Sequence, residues 1–387
     1  MSAHLCGGVL GGLLIQHADQ YFNAAHGSAG GHPMNNVQKS RCLFVSLGIC
    51  LFWVSSLVAQ DSIVRIIQTN FAGSNAHVID PTTNKVVDII QNVPKAHAAV
   101  NHPDGTYFYF ANEHDHNIVV VDTKTLEVVD RIPLVERPNK LVINKTQNKL
   151  YVAIRDSAHL QIIDLDSHKV IKTLSVHAGI HNVYVTKDDN YIVAGLGAYP
   201  ETFDEPTIQV IDASTDEIAF SISLEGFRVR PMAIESNSDG SPSRIFAQAE
   251  RLNGFYVVDW DQRKAIDFVA VPSLSMSQQN FDGIQNGTGH GLLVLPDQSA
   301  LWYASRLDSR VYAWSLPDLE FMGGIEVGPS PQWLTATPDS QTLYVSMVGS
   351  METVALDTQA HEIIARIPVG FGPKRNSTHI LPAALAR

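Results

Sequence analysis

Residues 96–134 read AHAAVNHPDGTYFYFANEHDHNIVVVDTKTLEVVDRIPL. Four short apolar or alternating runs stand in this stretch: AHAAV, YFYFA, NIVVV and VVDRI. Between them lie residues that turn a chain, first Pro-Asp-Gly, then Glu-His-Asp-His, then Thr-Lys-Thr-Leu-Glu. Runs of this length, rich in Val, Tyr and Phe and bounded by Asp, Gly, Asn and Pro, are strand-and-turn signals. No long segment of helical period occurs after residue 60. The stretch predicts four short strands joined in sequence.

Working outward, the third run recurs. VVD at 120–122 has counterparts in VID at 78–80, IID at 162–164, VID at 210–212, VVD at 257–259 and ALD at 355–357, and VYAW followed by Ser315 is a further copy without the aspartate. The key positions 80, 122, 164, 212, 259, 315 and 357 are separated by 42, 42, 48, 47, 56 and 42 residues. Four strands repeated at such a period are the signature of a propeller blade. The fold class expected is all-β, a seven-bladed β-propeller of four-stranded antiparallel blades occupying residues 61–387 as one domain. IVRIIQTN (63–70) matches the second strand of a unit, and KRNSTHILP (374–382) matches a first strand with nothing after it. The ring is therefore expected to close by pairing the C-terminal strand with the N-terminal strands, which removes the edges an open sheet must protect.

Several strings carry a family resemblance. LYVAI (150–154), VGPSPQWLTATPDSQTLYV (327–345), LYVSM (343–347) and IPVGFGPKR (367–375) resemble the YVTN-type β-propeller repeat, with its V-G-x-x-P, P-D-G, Y-V-x-N and V-I-D elements. The resemblance covers residues 63–382 and implies the propeller fold. For function it implies little, because related propellers include surface-layer proteins and lactonase-like enzymes, and a fold does not fix a chemistry. The chain departs from the pattern at Ser315 and in the long segment SLSMSQQNFDGIQNGTG (273–289).

The bulk composition narrows the field. The 387 residues are 45% hydrophobic and 17% charged, with a formal net charge of -12. This is globular material, and diffuse acidity argues against nucleic acid or an anionic membrane surface as a partner. The three cysteines, Cys6, Cys42 and Cys50, all precede residue 60, so the predicted propeller has no disulfide and no thiolate chemistry. Lys39 and Arg41 precede the apolar run LFVSLGICLFWVSSLVA (43–59) and a polar QDS, which reads as a secretory signal over 34–60 cleaved near Ala59 or Gln60. Met34 then becomes an alternative start, with residues 1–33 unstructured or outside the protein. An uncleaved anchor is the rival reading. The expectation is an exported, monomeric protein, periplasmic or extracellular, with no membrane span after cleavage.

The repeat also aligns a candidate site. The position at the entry to each first strand is occupied by His97, Asn139, His181, Met232, His290, Gln332 and Lys374. In the propeller geometry that the resemblance implies, this strand lines the central channel, so these side chains face one axis. The loops after the second strands, expected on the same face, supply Glu113 and His114, Arg155, Glu250 and Arg251, and Arg306. The longest insertions, 197–206 and 273–289, fall on that face too, and long loops at one end of a rigid scaffold are where function concentrates. Three chemistries fit the mouth of this channel. His97, His181 and His290 could converge on Cu, Zn or Fe, since neutral imidazoles suit these ions. Arg155, Arg251, Arg306 and Lys374 could hold an anionic or polyhydroxylated small molecule, with Glu250 or a histidine as general base. The same groups could be a hydrogen-bonded channel wall. No G-x-S-x-G and no H-E-x-x-H is present. The functional expectation is an exported binding protein for a small molecule or a protein partner at the loop-rich face. A metal-dependent oxidoreductase, a lactonase- or lyase-like enzyme and a cell-envelope platform stand as alternatives.

Overall fold

The computed structural model describes residues 62–197, 207–224, 228–250, 252–281, 283 and 287–385. The expected leader, the segment 1–33, most of the insertion at 197–206 and Arg251 lie outside the described residues. Within them the strands, numbered β1 to β28 in chain order, form seven four-stranded sheets, and a 3-10 turn spans Met276–Gln278. Six sheets are consecutive antiparallel meanders. The seventh takes its innermost strand from the far end of the chain, in the order β28-β1-β2-β3. β28 (Pro373–Pro382) runs antiparallel to β1 (Ser62–Asn70), with Ser62 opposite Pro382 and Gln68 opposite Asn376. The seam expected from the sequence is therefore present.

The innermost strands are β4 (Ala96–Asn101), β8 (Pro138–Asn144), β12 (Ile180–Val185), β16 (Val229–Ser236), β20 (Gly289–Val294), β24 (Pro331–Ala336) and β28. Each meets the next around a closed ring, and β24 meets β28 to complete it. Second strands such as β5 (Tyr107–Asn112) and β9 (Lys149–Ile154) are buried almost without interruption, because both faces of a blade pack against neighbouring blades. Outermost strands such as β11 (Lys169–Ser175) and β27 (Glu362–Pro368) alternate between exposed and half-buried residues. The core is a set of inter-blade layers. One unites Tyr151 and Leu160 with Ile192 and Ile211, and another unites Ile66 and Ile79 of the closing blade with Tyr344 and Ile367 of the blade before it.

The aspartate that ends six of the seven third strands is a turn device. Asp122 accepts the backbone N–H groups of Lys124 and Thr125 at 3.0 and 2.8 Å, Asp212 those of Ser214 and Thr215 at 2.8 and 3.2 Å, and Asp357 those of Gln359 and Ala360 at 2.9 and 2.7 Å. A carboxylate in this place replaces the hydrogen bonds that a tight turn cannot make along the ladder. The same turns each contain a left-handed residue, among them Asn84, His168, Asp216 and His361 with φ of 54°, 55°, 57° and 56°. Two of the histidines are thus turn residues.

Candidate functional site

The loop after each second strand and the entry to each first strand lie at one end of the ring. A backbone hydrogen bond joins them in every blade: Phe71 to Gly372, Glu113 to Lys95, Arg155 to Arg137, Gly197 to Gly179, Glu250 to Arg228, Leu307 to Thr288 and Val348 to Ser330, at 2.8–3.3 Å. The expected common face is formed. The described part of the segment 273–289 is tied to it, with the Leu274 N–H donating to Asp308 Oδ1 at 3.1 Å and the Asn280 N–H donating to Leu307 O at 2.6 Å. Gly283 allows that close approach, since a Cβ there would fall 2.4 Å from Leu307 Cα.

Each innermost strand carries a register shift at the same place, just inside this end. Ala96 pairs with Asn112 but Ala99 with Phe110, Pro138 with Ile154 but Leu141 with Val152, and Val229 with Ala249 but Met232 with Ala247. The same irregularity appears in β12, β20, β24 and β28. A bulge breaks the two-residue alternation, so consecutive residues can face the channel. The bulged pairs are His97-Ala98, Asn139-Lys140, His181-Asn182, Arg230-Pro231, His290-Gly291, Gln332-Trp333 and Lys374-Arg375.

This corrects the sequence register in one blade and doubles it in others. Met232 does not belong to the ring: it is fully buried between blades with Val229 and Ile245, and its N–H donates to the Tyr184 hydroxyl at 2.8 Å. Arg230 takes its place. The proline used to set the register, Pro231, stands after the channel position in this blade and before it in β8, β24 and β28. Lys140, Asn182, Trp333 and Arg375 were also missed, because an alternating strand gives one inward residue where the bulge gives two. The Trp333 ring centroid lies 4.2 Å from Arg375 Cζ and 6.2 Å from that of the His290 ring.

Arg375 is the centre of the assembly. Its Nη2 donates to Asn139 Oδ1 at 2.8 Å and to Asn182 Oδ1 at 2.7 Å, which ties three innermost strands together. Its Nε and Nη1 are buried and make no hydrogen bond among the described residues, and Asn139 Nδ2 is in the same condition. The seam holds it in place: the Arg375 N–H donates to Thr69 Oγ1 at 3.1 Å, and Gln68 Nε2 donates to the Arg375 carbonyl at 3.1 Å. Burial lowers the Arg375 pKa to about 10, against the opposing influence of Tyr184 and Glu113, so the guanidinium stays charged at neutral pH.

The other expected residues gather around it, with two exceptions. His97 is buried and its Nδ1 meets Glu113 Oε1. Burial takes this imidazole down to about 3, leaving it neutral, with Nδ1–H donating to the carboxylate. Burial alone would raise the Glu113 carboxyl, but the His97 contact and the nearby Arg155 and Arg137 hold it low. Arg155 and Arg137 stand 3.8 and 3.7 Å from Glu113 Oε2. His181 and His290 are in edge-to-face contact at 5.5 Å between ring centroids, and burial, with Arg230 beside the first and Arg306 beside the second, pushes both pKa values well down. Arg306 donates to Gln332 Oε1, whose amide nitrogen lies 3.0 Å from His290 Nδ1. Glu250 pairs with Arg230. Lys374 is brought down to about 7 by burial, then by Arg306, Arg375 and Arg155, against the pull of Glu113. His114 does not join: it is exposed on the rim, 3.3 Å from Asp115. Arg251 lies outside the described residues.

The expected metal tripod is not assembled. Among the described residues no group of three His, Cys, Asp or Glu side chains is placed to hold an ion. The reason is electrostatic as well as geometric. His97 is committed to Glu113, while His181 and His290 sit among Arg230, Arg306 and Arg375. The channel mouth is cationic in a chain whose net charge is -12. Arg155, Arg230, Arg306, Lys374 and Arg375 influence the same histidines and lysine, with Glu113 and Glu250 as the carboxylates paired to them. Two like charges about 5 Å apart at an effective dielectric near 20 repel by about 3 kcal/mol, so an incoming anion would relieve the ring.

Comparison with known proteins agrees with the fold and leaves the chemistry to the site. The model of the YNCE-like beta-propeller family matches residues 58–192. No curated protein matches the sequence. Among solved structures, a candidate 6-phosphogluconolactonase from Bacteroides fragilis NCTC 9343 is similar at 15% identity and a TM-score of 0.65, over 83% of this chain and 99% of that one. Kuenenia stuttgartiensis hydrazine synthase is similar at 14% identity and 0.59, over 75% and 96%. The dihydro-heme d1 dehydrogenase NirN, solved in complex with DHE, is similar at 13% identity and 0.57, over 81% and 74%. At these identities the likeness is one of fold.

Proposed function

We propose that the protein binds a small anionic molecule, a carboxylate or a phosphate, in the mouth of its central channel. One observation carries this reading. Arg375 is 2% exposed, yet two of its guanidinium nitrogens are without a hydrogen-bond partner among the described residues. A buried donor left unmade costs about 1–3 kcal/mol, more when charged, and a planar carboxylate or phosphate matches the guanidinium fork. The neighbouring Arg306 and Lys374 add charge of the same sign, and Trp333 offers a flat apolar wall. The leader over 34–60 supports export, so the ligand would be met outside the cytoplasm.

Thermal unfolding in a panel of small mono- and dicarboxylates, phosphate and sugar phosphates tests the proposal. A ligand at about a hundred times its Kd stabilises the folded state by about 2.7 kcal/mol and should raise Tm by several degrees. The rise should fall with added salt and shrink by about half or more in Arg375→Met. If no anion moves Tm, and sodium chloride is as effective as any of them, the channel is a wall.

A further inference from the structure

Lys140 differs from other partly buried lysines of the propeller. Lys149 is paired with Asp216 at 2.7 Å, and Lys374 feels Glu113. Lys140 has no hydrogen bond or ion pair among the described residues. Its Nζ lies 3.2 Å from the Tyr184 ring centroid and 5.2 Å from that of Trp333. Arg375 Cζ is 4.2 Å from the same Trp333 ring, so the amine and the guanidinium share one aromatic wall. Lys140 is nonetheless partly accessible.

We infer that Lys140 is a Schiff-base nucleophile for a compound carrying both a carbonyl and a carboxylate, such as a 2-oxo acid, whose carboxylate is held by Arg375. The inference rests on the anion-binding reading above and assigns the ligand its reactive group. Burial, with Arg375 as the second cause, drives the Lys140 pKa well down, which favours the neutral amine whose lone pair is the nucleophile. A lysine desolvated in an apolar pocket next to another cation is activated in this way. The amine nitrogen adds to the carbonyl carbon, and the carbonyl π pair goes to oxygen. A proton passes from nitrogen to that oxygen, and the carbinolamine loses water to leave a carbon–nitrogen double bond. One carbonyl and one amine become one imine and one water, with no change of oxidation state. The imine, once protonated, is a cation facing Tyr184 and Trp333, where aromatic faces favour it.

The test is reductive trapping on the purified protein. It is incubated separately with glyoxylate, pyruvate and 2-oxoglutarate, treated with borohydride, digested and mapped by mass spectrometry, with Tm measured in parallel. The expected result is one reduced adduct per chain on Lys140 with at least one of the three acids, and about ten-fold less in Lys140→Met under the same conditions. Peptide mapping of the unsubstituted protein reads the site directly, so the result does not depend on the variant folding. An acid that raises Tm without modifying Lys140 overturns the Schiff base and leaves anion binding standing. Neither a thermal shift nor an adduct overturns both. Labelling of Lys374, or of surface lysines alone, also overturns the assignment.

Discussion

The two ends of the blades obey different rules. At the end opposite the channel mouth, the turn between third and fourth strands carries Asp80, Asp122, Asp164, Asp212, Asp259 and Asp357, and each accepts a backbone N–H of its own turn. At the mouth, seven bulges of one backbone shape carry seven different side-chain pairs, from His97-Ala98 to Lys374-Arg375. Repetition keeps a residue where the backbone of every blade needs the same hydrogen bonds. It lets residues diverge where backbone geometry is satisfied without them, and there the side chains answer to one another and to whatever enters.

The sharpest way to break the comparison is to remove what both ends share, the closure of the ring. Removing residues 373–385 takes away the innermost strand of the closing blade and leaves buried Gln68 and Thr69 without the Arg375 carbonyl they bond at 3.1 and 3.0 Å. Loss of cooperative unfolding, read by circular dichroism on heating, is the expected outcome, with anion binding lost as well. Next in size, Arg375→Met should separate the two ends. A hydrogen bond to a charged group is worth about 1.5–3 kcal/mol, so calorimetry should show about ten- to a hundred-fold weaker anion binding. Stability without ligand should fall by no more than about 3 kcal/mol, because the change removes a charge with unmet donors but also takes from the buried Asn139 and Asn182 oxygens the bonds they accept from Arg375.

Lys374 makes a smaller, pH-dependent contribution. Its folded pKa of about 7 is depressed below the usual lysine value, first by burial and then by Arg306, Arg375 and Arg155. Folding therefore opposes its protonation: the penalty is absent well above the unfolded lysine pKa, grows as pH falls toward 7, and is complete below it. A bound anion favours the protonated amine, so affinity should strengthen as pH drops from 8 to 6, with proton uptake visible as a buffer-dependent binding enthalpy. His97, at about 3, stays neutral across this window, so Lys374→Met should flatten the profile. An unchanged slope in that variant would assign the titration to another group.

How much of this was legible follows from the same contrast. The strand count, the blade period and the seam are written in hydrophobic alternation and turn residues, which the backbone reads locally. The ring members His97, Asn139, His181, His290, Gln332 and Lys374 were legible because the repeat fixes their register. Arg375 and Lys140 were not, because a bulge is a long-range property of a strand pair and leaves no fixed residue behind it. Arg230 was hidden by a displaced proline. The histidines, which drew attention as metal ligands, turn out to be neutral groups among cations. The sequence places cations and carboxylates in the chain but not their distances, and distance decides which of them titrates or pairs.

The smallest expected effect lies at the turn end and tests whether its rule is only backbone. Asp122→Ala should cost about 1 kcal/mol of stability, as a lost capping carboxylate does, and leave anion affinity unchanged. Ser315 is the one departure at this position, and its hydroxyl accepts the Glu320 N–H at 3.1 Å. Restoring the repeat with Ser315→Asp should gain little, within about 0.5 kcal/mol of neutral. The carboxylates of the other turns draw on the N–H two or three residues ahead, and here the residue two ahead is Pro317, which has none. Asp318, three ahead, would bring its own negative charge to the new carboxylate. Denaturant unfolding of the two variants side by side separates the cases. A gain in Ser315→Asp as large as the loss in Asp122→Ala would mean that the aspartate acts through charge across the turn face and not through the turn it closes.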